Sequence, residues 1–482
     1  MRDAVAASPF IDLVTDSAAT EVEQDGTGVA VHAGDTWWRG SYLIGCDGHR
    51  SIVRRKLGIR FPGKAIAERC AVATVRAELP VPPEAQLHRD PQFDSTAQEL
   101  TLRPLPDHVW RMDWRLPPGA PAGPLPAEVL IHHLRAALSG LNEGRVPQYE
   151  LIASADRKIP QRLALKFRSG RAFLAGDAAH LLGALGMQNL DEGLRDAENL
   201  SWKLAAVWHH WAPPALLDSY QRERRPSVIA RLRAVDQALP LLHPANRMLE
   251  VRRSLLSGSL RRNAALLSDG SLGTGRLGAP PAYRQLPGEA RKLGRGGGAA
   301  VRGERAAGRP ALASELQPTD RGALVPDIAV TTVDGARDRL RARLGRGLLV
   351  VLVAPGTDVW ASEHWLGAGL MPALTEATRA LPMPAELLVT GDYPGAAPHT
   401  VLLIRPDGYL AATLRGCSPG ELWRMADLVR AGSGALPEPT GADATGAAVP
   451  PPSEAKTERL RTPPAAAAAD TPADTPTPAQ AN

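Results

Sequence analysis

Two stretches of this chain place an acidic residue and small residues directly after an apolar run, an order that can build a ligand site. The first, YLIGCDGHRSIVRRKLGI at 42–59, passes from a short apolar strand into Asp47-Gly48 and then into a basic segment of helical pattern. The second, RAFLAGDAAHLLGALGMQNLDEGLRDAENLSWKLA at 171–205, runs from the strand AFLAG into Asp177 and on to a long helix. In α/β folds, ligands bind at the carboxyl ends of strands, where both aspartates fall. Gly176, Ala178 and Ala179 would let backbone come close to a ligand, and Asp177 offers an acceptor to a sugar or polyol hydroxyl. Gly183 and Gly186 lie in a loop leading to a helix expected to start near Asp191. Free N–H groups and the dipole at a helix start stabilise negative charge on a ligand. Asp191 is itself a candidate N-cap. These residues alone suit a capped loop-to-helix turn without a ligand equally well.

The elements that must position them read as α/β over residues 1 to about 240. Residues 10–16 and 29–33 alternate like strands, with Asp25-Gly26 where a hairpin turn would sit. Residues 69–79 and 109–116 alternate like strands of an antiparallel sheet, and Trp110, Met112 and Trp114 share one face, either as core or as a pocket wall. Helices are expected from about Glu192 to Trp208 and over 216–239, with Pro226 marking a break or kink. Residues 270–322, rich in Gly, Arg and Pro, read as an exposed, poorly ordered linker. A smaller α/β unit follows at about 323–432. It has a buried strand at 348–353, a helix near 368–380, a strand at 386–390 and a hairpin at 400–412 around Pro406-Asp407-Gly408. The Pro/Ala/Thr-rich end from about Gly434 reads as disordered.

Composition removes several functions. The 482 residues allow two to four domains. With 56 Lys+Arg against 51 Asp+Glu, the net charge is only +5, and no long run of like charge marks a nucleic-acid interface. Arg222 to Arg225 and Arg252-Arg253 read as solvated helix faces. Cys46, Cys70 and Cys417 form no C-x-x-C, which excludes a zinc ribbon or disulfide framework and suggests inert buried thiols in a reducing compartment. No apolar run reaches the ~18 residues of a membrane span. The N-terminus lacks the long apolar stretch of a secretory signal, so a cytoplasmic protein is expected. His180 reads as structural, and His209-His210 lacks a third ligand, so no metal site is expected.

Over roughly residues 1–240 the sequence resembles the FAD-dependent aromatic hydroxylases, single-component flavoprotein monooxygenases, in their phenol hydroxylase branch. Their DG motif, G-x-D-G-x-x-S-x-V-R-x-x-L-G, is met by Gly45, Asp47, Gly48, Ser51, Val53, Arg54, Leu57 and Gly58. Their GD motif is met by Gly176 to His180 and Asp196 to Leu204, and LLDSYQRERRP at 216–226 is also similar. VPDIAVTT, LLVVLVAP and VLLIRPDGYLA resemble the branch's thioredoxin-like C-terminal domain, without its redox cysteines. The resemblance implies an α/β fold. An incomplete Rossmann-like FAD-binding domain would occupy 1–64 and 166–240, and an antiparallel β-sheet substrate domain 65–165. A helical segment and linker would cover 241–322, a thioredoxin-like α/β domain 323–432, and a tail 433–482.

It also implies site roles. Asp177 would bond the ribityl chain of FAD, with Gly176 and Gly186 beside it, and the backbone at Leu190 and Asp191 would face the flavin's pyrimidine end. Asp47 and Gly48 would lie near the pyrophosphate, with Arg54 stabilising that region, and this motif also serves the nicotinamide cofactor. NADPH or NADH would reduce FAD, and oxygen would hydroxylate an aromatic or polyketide-like small molecule lying between the 65–165 sheet and the flavin. No catalytic side chain is expected, and a homodimer is among the family's options. The chain departs from the family at Gly183, where Pro is common, and at Asn189 and Asp191, where Gly and Asn are common, so Asn189 would take any left-handed backbone there. No G-x-G-x-x-G strand–turn–helix precedes the DG motif. Residue 1 then falls about 100 residues inside the family fold, an N-terminal truncation that implies weak FAD binding. The alternatives are a catalytically silent fragment or pseudoenzyme acting in binding or assembly, and a flavin-dependent oxidase or halogenase.

Overall fold

A computed structural model describes residues 2–64, 69–84, 86–89, 99–116, 125–158, 160–183, 187–242, 280–289, 316–356, 369–436 and 458–460. Helix α1 (Arg2–Ala6) precedes an antiparallel meander of β1 (Ala19–Gln24), β2 (Val29–Ala33) and β3 (Thr36–Gly40). Asp25 closes the first turn: its Oδ1 accepts the N–H groups of Thr27 and Gly28 at 2.7 and 2.8 Å, and Arg39 pairs with Oδ2 at 2.6 Å. That turn pairs Gln24 with Val29, so the partner of 29–33 is 19–24 rather than the expected strand at 10–16. Residues 10–16 form no strand, and Phe10, Ile11, Leu13 and Val14 are exposed. The chain continues through β4 (Leu43–Gly45), α2 (Ile52–Lys56) and β5 (Gly63–Lys64).

The next unit is a five-stranded antiparallel sheet in the order β10-β6-β9-β8-β7. Its strands are β6 (Arg69–Ala77), β7 (Gln86–Arg89), β8 (Glu99–Leu105), β9 (Val109–Arg115) and β10 (Tyr149–Lys158). Helix α3 (Ala127–Leu141) covers one face. Trp110, Met112 and Trp114 pack there with Leu130, Leu134 and Leu138, so the aromatic stripe is core.

Three short strands, β11 (Gln161–Leu163), β12 (Arg168–Ser169) and β13 (Ala172–Leu174), lead to a 3₁₀ turn, Gly176–Ala178, and to β14 (His180–Leu182). Strand β13 lies parallel to β4, while β14 and β5 flank β11. Helices α4 (Met187–Trp208) and α5 (Asp218–Leu242) follow. Helix α5 runs unbroken through Pro226. The proline costs a backbone hydrogen bond, but Glu223, Arg224 and Val228 around it are all buried, and their packing holds the helix. Part of the expected linker is also packed. In 280–289, Tyr283 and Leu286 are buried, and Gly288 N–H donates to Leu428 O at 2.8 Å. The rest of 270–322, apart from 316–322, lies outside the described residues.

The C-terminal sheet has the order β16-β15-β18-β17-β19-β20. It is built from β15 (Ala329–Thr332), β16 (Arg337–Arg339), β17 (Leu348–Val353), β18 (Ala385–Thr390), β19 (Thr400–Ile404) and β20 (Leu410–Arg415). Helices α6 (Met371–Arg379) and α7 (Pro419–Val429) complete the unit. All six residues of β17 are buried, as expected for an apolar run inside a sheet covered on both faces. Strand β21 (Glu458–Leu460) pairs antiparallel with β3, so the tail contributes one strand; most of 433–482 lies outside the described residues. The architecture is mixed α/β. Among the described residues no helix is long and apolar enough to cross a membrane.

Candidate functional site

Parallel pairing of β4 with β13 aligns Leu43, Ile44 and Gly45 with Ala172, Phe173 and Leu174. Ala175 N–H then donates to Gly45 O at 3.1 Å, so the two chains leave the sheet side by side. Asp47 and Asp177 therefore follow the carboxyl ends of adjacent strands, as the sequence implies.

The carboxylate of Asp47 caps α2. Its Oδ2 accepts from Ile52 N–H at 2.7 Å and Val53 N–H at 3.0 Å, while Ser51 Oγ accepts from Arg54 N–H at 2.9 Å. Gly48 has φ +75°, and a Cβ there would meet nothing within 4 Å, so its backbone borders open space. Arg54 is buried and turned inward. Its Nη1 donates to Ala178 O at 2.8 Å, its Nη2 to His49 O at 2.9 Å, and its guanidinium lies 3.9 Å from the Phe61 ring centre. It clamps the two motif loops together, and any support it gives a cofactor passes through them.

At the second strand end, Gly176 turns with φ +59° and packs against α4, where a Cβ on Gly193 would stand 3.4 Å from Gly176 Cα. Asp177 is half-buried and has no hydrogen bond or ion pair among the described residues, which leaves its carboxylate for a ligand. The turn is anchored from below. Gly176 N–H donates to Asp196 Oδ2 at 2.9 Å, and His180 Nε2 lies 2.8 Å from the same oxygen. Asp196 Oδ1 accepts from Arg224 Nε at 2.6 Å. Arg224, fully buried, also reaches Glu192 Oε2 at 2.6 Å and the Tyr283 hydroxyl at 3.1 Å. Burial alone would raise the Glu192 carboxyl, but the charges of Arg224, Arg231 and Arg195 hold it well below the usual carboxylate range. Asp196 is likewise lowered against its burial, by Arg224 and His180.

Four expectations change here. Helix α4 starts at Met187, so Asp191 is not its N-cap but an exposed residue of its second turn. Asn189 is helical rather than left-handed, and its Oδ1 accepts Leu182 N–H at 2.9 Å. Asn189 Oδ1, bonded to Leu182 N–H, ties this first turn to the end of β14, and from Glu192 onward Glu192 and Asp196, four residues apart, share the helix face that meets Arg224. The Arg222–Arg225 run is not a solvated face: Arg222 is exposed, but Arg224 is the hub of the buried network. Nor are the thiols buried: Cys46 is exposed, and Cys70 and Cys417 are partly exposed.

Leu190, an apolar side chain at the start of α4, is 70% exposed. Gly186 lies outside the described residues. An unspent carboxylate at Asp177, open backbone at Gly48 and the N-terminus of α4 suit a dinucleotide lying across the strand ends. Among the described residues, no group of three His, Cys, Asp or Glu side chains could hold a metal ion. Glu192, Asp196, Arg224 and Tyr283 were not singled out as interacting residues from sequence. The local signals are the four-residue spacing of Glu192 and Asp196 and the places of Asp196 and Arg224 in the motif segments 196–204 and 216–226.

The sequence signature of the FAD binding domain family matches residues 1–235. A 12-dehydrotetracycline 5-monooxygenase/anhydrotetracycline 6-monooxygenase of Streptomyces rimosus is 30% identical over 407 residues, 82% of this chain and 71% of that protein. A dialkyldecalin synthase of Streptomyces rugosporus is 39% identical over 213 residues, 42% of this chain and 43% of that protein. The chain thus spans less than half the length of one of these relatives. The structure of an anhydrotetracycline hydroxylase from Streptomyces rimosus superposes with a TM-score of 0.55 at 27% identity, covering 88% of this chain and 76% of that one.

Proposed function

The chain belongs to the FAD-dependent monooxygenases, and we propose that it hydroxylates an aromatic, polyketide-like small molecule with FAD, oxygen and NADPH or NADH. The observation that carries this reading is the side-by-side exit of Asp47 and Asp177 from parallel strands, with the Asp177 carboxylate unpaired among the described residues. FAD, when bound, would supply the redox chemistry of the hydroxylation.

The protein's part is binding and orientation. Asp177 would accept from the ribityl hydroxyls, with Gly176 letting backbone approach. Gly48 N–H would serve the pyrophosphate, while Asp47 and Arg54 hold the loop that presents it. The start of α4, where Leu190 and Asp191 are exposed, would border the flavin ring. The five-stranded sheet walls the substrate side and helps keep water out. In this reading, 1–64 and 166–240 form a Rossmann-like FAD-binding domain, 65–165 the substrate domain, and 323–432 a thioredoxin-like domain. The strand order, with parallel β17–β18 at the centre of a mixed sheet, supports the last assignment. A small-molecule enzyme with neither disulfides nor a membrane-spanning helix among its described residues fits the cytoplasm.

The test is NAD(P)H oxidation by the FAD-saturated protein with and without a polyphenolic polyketide such as anhydrotetracycline. Stimulation with a hydroxylated product supports the proposal. The identity to a dialkyldecalin synthase favours a second reading, synthesis of a decalin ring system. Product formed without oxygen or NAD(P)H consumption would select it.

A further inference from the structure

We propose that Arg405 is a positioning residue for the cofactor site, the head of a latch through which the C-terminal sheet sets the Gly176–Asp177 turn. This rests on the reading of that turn as the ribityl-binding segment. Arg405 sits in the hairpin between β19 and β20 and is 1% exposed. Its Nη1 and Nη2 fork onto both Glu223 oxygens at 2.8 and 2.9 Å. Its Nε and Nη2 reach both Asp407 oxygens at 2.9 and 2.6 Å. The guanidinium lies 5.2–5.8 Å from the ring centres of Trp202, Tyr283 and Tyr409.

Every anionic partner of Arg405 is also held by α4 or lies on α5. Glu223, on α5, accepts from Lys203 Nζ and Asn199 Nδ2, both at 2.7 Å. Asp407 accepts from Trp202 Nε1 at 3.0 Å. Two cations and two anions balance within a water-excluded cluster, so no member can leave alone without stranding a charge. The same contacts lead back to the turn. Arg224 follows Glu223 in the chain and bonds Asp196, which holds Gly176 N–H. A second route runs through Tyr283, which meets Arg224 at 3.1 Å and the Tyr409 ring at 4.3 Å between centres. A latch serving only to park the C-terminal sheet could grip any surface; this one grips α4 within two turns of Asp196.

Hydrogen exchange of the whole chain without FAD tests the latch, in Arg405→Lys and in Arg405→Met/Asp407→Asn. The first keeps the charge and loses the two-sided fork; the second keeps the cluster neutral. Both are expected to leave β6 and β9 protected while exchange at Gly176–Ala179 accelerates about tenfold, the scale of coupling through a packed network. FAD affinity, by flavin fluorescence, is expected to weaken by a similar factor. A folded variant with parental exchange at Gly176–Ala179 overturns the proposal. Failure of the parent to bind FAD, with exchange still accelerated in the variants, would instead overturn the FAD reading and leave the latch standing.

Discussion

Gly176 N–H donates to Asp196 Oδ2 at 2.9 Å across twenty residues of sequence, and this bond ties the turn carrying Asp177 to helix α4. A carboxylate buried beneath the site thus holds the backbone that presents a half-buried carboxylate to it.

Asp196→Asn is expected to lower the unfolding free energy by about 3–5 kcal/mol, because Arg224 loses one of its two buried anionic partners. Chemical denaturation measures this. A loss below ~1 kcal/mol would show that the network carries little of the fold's stability.

Asp177→Ala is expected to do the opposite: stability within about 0.5 kcal/mol of the parent, with FAD affinity down roughly tenfold from lost bonds to ribityl hydroxyls. Flavin fluorescence titration beside a denaturation curve separates the two effects. Unchanged affinity would remove Asp177 from the site.

Asp47→Ala should cost about 0.5–2 kcal/mol, since its carboxylate caps α2 through two N–H bonds. The same titration applied to it asks how much a well-placed Gly48 depends on that cap. A stability equal to the parent's would contradict the capping geometry.

Acid should unfold the protein through three carboxylates. Arg224 and its neighbours hold Glu192 below its ordinary value, Arg405 and Lys203 do so for Glu223, and Arg224 with His180 does so for Asp196, each against its burial. With folded values below unfolded ones, the unfolded chain binds more protons between them, and stability rises with pH across that window. The contribution is complete above the ordinary carboxylate pKa of ~4 and is lost as pH falls below it. Urea unfolding at pH 7, 5, 4 and 3 should give a steady decline below pH 5. A flat series would contradict the buried ion pairs.

What the sequence disclosed followed from local pattern. The strands before Asp47 and Asp177 showed as apolar runs ending in Asp-Gly or Gly-Asp, and the Trp110–Met112–Trp114 stripe showed as period-two alternation. What it hid was pairing at a distance. Arg224 reads as one charge in a basic run until α4 brings Asp196 and Glu192 against it, and Arg405 meets Glu223 across 182 residues. Tyr283 sits in a stretch whose composition reads as linker, yet it packs because Arg224 needs its hydroxyl and Tyr409 its ring. The start of α4 is hidden for the same reason: Asp191 favours a cap locally, but Asn189 bonds Leu182 N–H across the preceding loop and the helix begins before both.

The most direct test of the central claim is the fate of molecular oxygen. The whole chain, at FAD concentrations that saturate fluorescence quenching, is given NADPH or NADH, an anhydrotetracycline-type aromatic polyketide and ¹⁸O₂, and the product is weighed by mass spectrometry. A monooxygenase places one ¹⁸O atom in the product for each nicotinamide oxidised. A product without ¹⁸O, or flavin-loaded protein that consumes neither oxygen nor nicotinamide with such substrates, would contradict the account.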